Sequence, residues 1–275
     1  MKNVENPLDL RAHFGFNATP FTREIPIDQR WRAELFNEPL TALQNTVEQR
    51  MSAVLMAPSG TGKTVLLRSL RSLLPEARYR VHYVKLTALT KRDLCREMAA
   101  AAGFDVPGGP YPIVVRKLQD GFRALADDDG LRPVLIIDEA QDLRPDVLAQ
   151  LRILTNFDMD SRLVLSLIIA GDGQLRFLLD RPQLEPIRRR MAHFASLRLL
   201  SRAETLDYMQ HRVRVAGANN FPFDSQAVDA VFELSRGNLR AIDHLARKAL
   251  EFAVVESSAA VDPSLVTAAR QKLLI

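Results

Sequence analysis

Apolar residues over the first two hundred positions follow two alternating rhythms. Short, nearly continuous apolar runs such as Ala53–Ala57, Val134–Ile137 and Leu163–Ala170 alternate with stretches whose apolar positions recur every three or four residues. A continuous run fits a strand covered on both faces, and the three-to-four spacing fits an amphipathic helix. The pattern predicts helix Arg30–Arg50, strand Ala53–Ala57, helix Lys63–Leu74, strand Arg80–Thr87 and helices Lys91–Ala102 and Val114–Ala126. Strand Val134–Asp138, helix Pro145–Thr155, strand Leu163–Ala170, helix Leu175–Leu179 and a short strand near Ser196–Leu199 follow. Strands separated by helices imply an α/β fold, with a parallel sheet sandwiched between helical layers.

From Ser201 the rhythm is helical alone, over Thr205–Ala216, Ser225–Ser235, Leu239–Val255 and Pro263–Leu274. Asp224 and Asp262 stand where N-caps are needed, and Gly217 and Gly237 where helices stop. The expected organisation is an N-terminal segment with a leading helix over residues 1–50, an α/β domain over 51–200 and a small helical domain over 201–275.

Composition narrows the class. Of 275 residues, 47% are hydrophobic and 25% charged, as in an ordinary globular protein. The opening MKNVENPLDLRAHFGF has no uninterrupted apolar core and no run approaches eighteen apolar residues, so neither a signal peptide nor a membrane span is expected. The single cysteine, Cys95, lies in a helical stretch, where it is expected to pack, and fits a reducing cytoplasm. A net charge of +4 permits an anionic partner without requiring one.

Residues 57–64 read Ala-Pro-Ser-Gly-Thr-Gly-Lys-Thr, after an apolar strand and before a helix. That context is the one a phosphate-binding P-loop needs. Gly60 and Gly62 allow the backbone to curl so that successive N–H groups face phosphate oxygens, and the helix start adds its positive end. Pro58, Ser59, Gly60, Thr61, Gly62, Lys63, Thr64 and Val65 are the expected nucleotide-binding residues, with Lys63 on the β- and γ-phosphates and Thr64 on Mg²⁺. Ala57 stands where the motif usually has its first glycine. Further on, Leu135-Ile136-Ile137 runs into Asp138-Glu139. A carboxylate at a strand tip suits Mg²⁺, here Asp138, and a second acid, Glu139, suits orienting and polarising an attacking water. The letters Asp-Glu-Ala-Gln at 138–141 also occur in DExx helicases, but those need two such α/β domains and only one fits here.

With these motifs in place the chain resembles an AAA+ ATPase, and within that group the ExeA/TniB/TnsC ATPases of bacterial transposons. The resemblance runs from His13-Phe14-Gly15-Phe16 and Pro20-Phe21 through APSGTGKT, VHYVKLTALTKRDL (81–94), PVLIIDEAQDLRPDVLAQLRILTNFDMDSR (133–162) and LSLIIAGDGQLR (165–176) to SRGNLRAIDHLA (235–246). It implies an AAA+ αβα sandwich followed by a helical lid. Arg240, in Gly237-Asn238-Leu239-Arg240, is then the lid arginine that senses the γ-phosphate. Arg190, with Arg188 second, is the arginine finger offered to a neighbouring subunit, and Asp172 or Gln174 stands at the sensor past the strand at 164–170. Phe14, Phe16 and Phe21 either wall an adenine pocket or staple a core.

The resemblance also implies a role. ATP and Mg²⁺ favour a homo-oligomeric ring or helical filament on double-stranded DNA, which brings a transposase, and possibly a target-selector protein, to the target; hydrolysis disassembles it. Lys85, Thr87, Lys91 and Arg92 suit the DNA backbone, with Lys117 and Arg123 behind them. The alternatives are a helicase- or clamp-loader-like ATPase, a scaffold with negligible turnover and a secretion-associated ATPase of the same type. The last is expected to carry a membrane span and a further domain, which the sequence to Ile275 does not show.

Overall fold

A computed structural model of the protein describes residues 10–85, 89–106 and 109–273. They gather into two compact units. One joins Glu34–Ser59 with Lys63–Leu197; the other joins the residues up to Ala33 with Gly60–Gly62 and the chain from Arg198.

After a short first helix, α1 (Leu10–Phe14), which belongs to the helical unit, the α/β unit begins at α2 (Glu34–Glu48). Strand β1 (Ser52–Met56), helix α3 (Lys63–Leu73) and strand β2 (Tyr79–Lys85) follow, then α4 (Lys91–Ala102), α5 (Tyr111–Asp127) and β3 (Arg132–Asp138). Next come α6 (Pro145–Leu148), α7 (Leu151–Leu154), β4 (Ser166–Gly171), α8 (Gly173–Leu179), α9 (Glu185–Arg188) and β5 (Met191–Ser196). The five strands form one sheet in the order β2-β3-β4-β1-β5, and every pairing is parallel. The α/β fold expected from the alternation is therefore present. Strand β4 separates β1 from β3, so the ends of the two motif-bearing strands flank Gly171 at the end of β4. Val54, Leu135, Ile137, Leu167 and Ile169 cover one face of the sheet, in the same core as Leu94, Met98, Leu118 and Phe122. Each such side chain contributes roughly 1.5–3 kcal/mol by leaving water. Cys95 is buried in that core, and burial pushes its thiol up to about 11.

Three elements differ from the sequence expectation. The helix expected over Pro145–Thr155 breaks at Ala149–Gln150, where Gln150 accepts from the Tyr111 hydroxyl at 2.8 Å and its amide donates to the Asp146 carbonyl at 3.3 Å. Strand β4 starts at Ser166 although Val164 and Leu165 are buried, because its ladder partners on β3 begin at Val134. The last strand is Met191–Ser196, not Ser196–Leu199; as an edge strand paired only to β1 it leaves Phe194 exposed, so it lacks the continuous apolar run that marks the inner strands.

The helical unit contains α1, α10 (Arg202–Val215), α11 (Ser225–Ser235), α12 (Leu239–Val255) and α13 (Pro263–Leu273). Its caps are sequence-local: Ser201 and Glu204 form a capping box, Asp224 accepts from the Ala227 N–H and Asn238 from the Ala241 N–H. Asp262 accepts from the Ser264 and Leu265 N–H groups. A buried polar cluster ties the N-terminal segment to α10 and α12. Arg212 donates to Tyr208 at 2.7 Å, to Asp243 at 3.2 Å and to the Thr22 carbonyl at 2.6 Å. Phe16 and Phe21 are buried here, Phe21 edge-on to Phe223 and beneath Arg212, while Phe14 is half-buried. Among the described residues no helix is long and apolar enough to cross a membrane.

Candidate nucleotide site

Between β1 and α3 the chain makes a tight loop. Gly60 at φ 82° and Gly62 at φ 94° occupy the left-handed region, where a side chain would be strained. Helix α3 then begins at Lys63, so its first N–H groups lack partners within the helix and are available to an anion. Ala57 is buried, and its N–H donates to the Gly171 carbonyl at 2.9 Å, which fixes the start of the loop to the end of β4. Pro58, Ser59 and Thr64 are exposed, Val65 is half-buried and Thr61 is buried. Gly60–Gly62 group with the helical unit: the Arg240 N–H donates to the Gly60 carbonyl at 3.0 Å, and a Cβ on Gly60 would collide with the Asn238 amide.

At the foot of α3 the Lys63 ammonium lies 3.0 Å from Asp138 Oδ1 and 2.9 Å from Glu139 Oε2. Asp138 is fully buried at the end of β3. It accepts from the Tyr83 hydroxyl at 2.7 Å and from the Glu139 N–H at 2.9 Å. Glu139 itself is left-handed at φ 55°, a conformation costly for a residue with a Cβ, and turns its carboxylate toward Lys63. The Gln141 amide donates to Glu139 Oε2 at 2.9 Å. Burial acts to raise the Glu139 pKa, but the Gln141 amide, the Lys63 ammonium and the more distant Lys85 outweigh it and hold the carboxyl below its ordinary range. Burial and the neighbouring carboxylates push the Tyr83 hydroxyl well up, so it stays a donor.

A left-handed glycine loop, a helix start and a lysine shared by two consecutive acids at the end of β3 form a phosphate-handling constellation. The chain matches the AAA domain family over residues 45–179. That match takes in the glycine loop and the acid pair, covers just under half of the chain, and supports an AAA+ ATPase domain there. Its fold agrees with solved structures. Cdc6p from Pyrobaculum aerophilum superposes with a TM-score of 0.71 at 18% identity, over 92% of this chain and 70% of that one. The ORC1 protein of Aeropyrum pernix, in complex with DNA, gives 0.70 at 19%, over 94% and 70%. The RuvB Holliday junction branch migration motor of Thermotoga maritima gives 0.62 at 19%, over 92% and 73%. At these identities the likeness is one of fold. A curated relative, General secretion pathway protein A of Aeromonas hydrophila, is 31% identical over 251 residues, which is 89% of this chain. The chain spans 45% of that relative's length.

The other expected residues are placed as follows. Lys85 ends β2 in register with Asp138 and contributes to the field on Glu139; Thr87 lies outside the described residues. Lys91 opens α4 and lies 3.6 Å from Asp146, while Arg92 beside it is exposed. Lys117 is exposed on α5, and Arg123 on the same helix faces Asp158 at 3.4 Å. Asp172 caps α8, accepting from the Gln174 N–H at 2.8 Å, and its own N–H donates to Gln141 at 3.1 Å. Arg188 is exposed and 3.8 Å from Asp180. Arg190 is held by both oxygens of Asp160, at 2.5 and 2.8 Å. In the helical unit Arg240 is exposed in the first turn of α12. The site therefore gathers Lys63, Asp138, Glu139 and, through Gln141, the N-terminus of α8; Arg188 and Arg190 are engaged with other acids.

Sequence reasoning missed Tyr83 and Gln141. The signal for Tyr83 was strand alternation, which puts it on the same face of β2 as Lys85. Gln141 lay inside a motif already noted but had no role attached.

Proposed function

We propose that this chain is an ATP-dependent regulator of DNA transposition. In this reading it assembles on double-stranded DNA with ATP bound, presents the target to a transposase, with or without a target selector, and disassembles on hydrolysis. The observation that carries the ATP chemistry is the Lys63 ammonium shared by Asp138 and Glu139 at the foot of a left-handed glycine loop. An ammonium that already neutralises two acids can turn to the β- and γ-phosphates when the nucleotide brings compensating charge. The loop from Pro58 to Val65 holds the phosphates through its backbone N–H groups.

The residues fit Mg²⁺ as well. Thr64 follows Lys63 at the start of α3 and Asp138 ends β3 beside the Lys63 ammonium, so the donors at hand are a hydroxyl and a carboxylate, an all-oxygen set that suits a hard cation completing its shell from phosphate and water. Thr64 and Asp138 would hold it, and it would neutralise charge developing on the phosphate oxygens. Glu139, kept ionised, orients the attacking water and accepts its proton. Asp172 borders that water, Arg240 reports the γ-phosphate, and Arg190 or Arg188 reaches the nucleotide of a neighbouring copy. A nucleotide shared between copies links assembly to γ-phosphate occupancy, so ATP favours the polymer and hydrolysis loosens it.

The DNA part of the reading is supported by the motif resemblance along the chain and by fold neighbours that include a DNA complex and a branch migration motor. Lys85, Thr87, Lys91 and Arg92 are the proposed backbone contacts. Electron microscopy of the purified protein with duplex DNA tests the whole reading. Rings or filaments with a slowly hydrolysed ATP analogue and none with ADP are expected; single particles in both states would overturn it. A second reading, an ATPase coupled to a secretion system, is favoured by the 31% identical General secretion pathway protein A. DNA-stimulated ATP turnover separates the two, since the secretion reading gives DNA no part in turnover.

A further inference from the structure

The amide of Gln141 sits between the acid pair and the end of β4. Its Nε2 donates to Glu139 Oε2 at 2.9 Å, and its Oε1 accepts from the Asp172 N–H at 3.1 Å. The preceding residue, Gly171, gives its carbonyl to the Ala57 N–H at 2.9 Å, where the phosphate loop begins. One dipeptide, Gly171–Asp172, thus anchors the phosphate loop on one side and the Glu139 carboxylate on the other, the second through Gln141.

The seat is close-fitting. A Cβ on Gly171 would lie 2.6 Å from Gln141 Oε1 and 2.9 Å from Leu175 Cδ2, so the backbone at 171 leaves room for the amide only because it carries no side chain. The two bonds also fix which way round the amide lies. Reversed, its NH₂ would face the Asp172 N–H and its carbonyl would face a carboxylate, two repulsive contacts in place of two attractive ones. A glutamate of the same shape would keep the Asp172 bond but present an acceptor to Glu139.

We propose that Gln141 is a positioning residue that sets the Glu139 carboxylate relative to the phosphate loop through the Gly171–Asp172 dipeptide. It rests on the reading of Glu139 as the residue that activates water. Helix α8 starts at this dipeptide, so a displacement of α8 is passed to the acid through the same amide.

The test compares the full chain with Gln141→Leu, Gln141→Glu, Glu139→Gln and the double variant Gln141→Leu/Glu139→Gln, measuring kcat and KM for ATP together with nucleotide affinity. Gln141→Leu and Gln141→Glu are expected to lower kcat roughly 10- to 100-fold, the range for a misplaced reacting group, with KM and affinity within about twofold of the parent. Adding Gln141→Leu to Glu139→Gln should slow turnover no further, because the aimed group is already lost. A purely structural role would lower thermal stability, move KM with kcat and make the two substitutions additive, which overturns the proposal. Parental kcat in both Gln141 variants also overturns it, while a slow Glu139→Gln leaves the assignment of Glu139 standing. A parental rate in Glu139→Gln fails the underlying reading and removes the proposal with it.

Discussion

With its ammonium 3.0 Å from Asp138 and 2.9 Å from Glu139, Lys63 keeps two adjacent carboxylates from repelling one another. Lys63→Ala therefore has two expected consequences. ATP affinity, followed by a fluorescent nucleotide, should fall at least about 100-fold with loss of the phosphate contact. The nucleotide-free protein should also lose about 3 kcal/mol in urea titration, because fully buried Asp138 is left without its counter-charge. Glu139 gives this loss a pH signature. Its folded pKa lies below the ordinary 4.5, so its ionised form stabilises the fold above that value, and the contribution fades as pH falls through the folded pKa. In Lys63→Ala the stability lost between neutral pH and acid should shrink accordingly. The GKT letters carry the expectation that Lys63 meets phosphate; that it holds both acids could not be read from them, since nothing local ties position 63 to 138.

At the scale of elements, the Arg236-Gly237-Asn238 turn between α11 and α12 shows how backbone geometry fixes a motif. Gly237 is left-handed at φ 73°, its carbonyl accepts from the Leu200 N–H at 2.9 Å, and a Cβ would collide with the Leu200 carbonyl. Gly237→Ala should destabilise the helical unit by roughly 2–4 kcal/mol in thermal or urea unfolding, because the clash is with backbone that cannot rotate away. The buried Arg212–Tyr208–Asp243 cluster makes a different prediction. Burial pushes the Asp243 carboxyl up to about 6, against the opposing pull of Arg212 and Tyr208. With a folded pKa above the ordinary 3.8, the stability tied to its protonated form is complete below that value and is lost as pH rises to about 6. Asp243→Asn should flatten the stability profile over that window and lower it at neutral pH, where Arg212 loses its counter-charge. Caps and stops at Asp224, Gly217 and Gly237 could be read directly, whereas the break at Ala149–Gln150, where Gln150 meets the distant Tyr111 hydroxyl, carries no local signal.

For the whole molecule the predictions concern assembly. Arg190 is held by both carboxylate oxygens of Asp160, so an arginine that serves a neighbouring copy must exchange that partner. If the proposed assembly on duplex DNA uses Arg190 in this way, Arg190→Ala should leave ATP affinity of the dilute protein unchanged and reduce turnover with duplex about 10³-fold or more, measured as ATP hydrolysis with and without DNA. Duplex binding should weaken linearly with the logarithm of salt concentration, and each of Lys91→Ala and Arg92→Ala should lower that slope by about one if the side chain meets a phosphate. A slope unchanged in both variants would move the DNA contact elsewhere. The sequence by itself determined the alternation that makes an α/β sheet, the glycines of the phosphate loop, the acid pair ending an apolar strand and the helical run from Ser201. These are demands of periodicity and backbone conformation, satisfied by residues adjacent in the chain. The tertiary structure alone decided that β4 lies between β1 and β3, that Tyr83 and Gln141 face the acids, and that Arg190 meets Asp160. Those relations come from strand order and packing between distant segments, and no spacing along the chain encodes them.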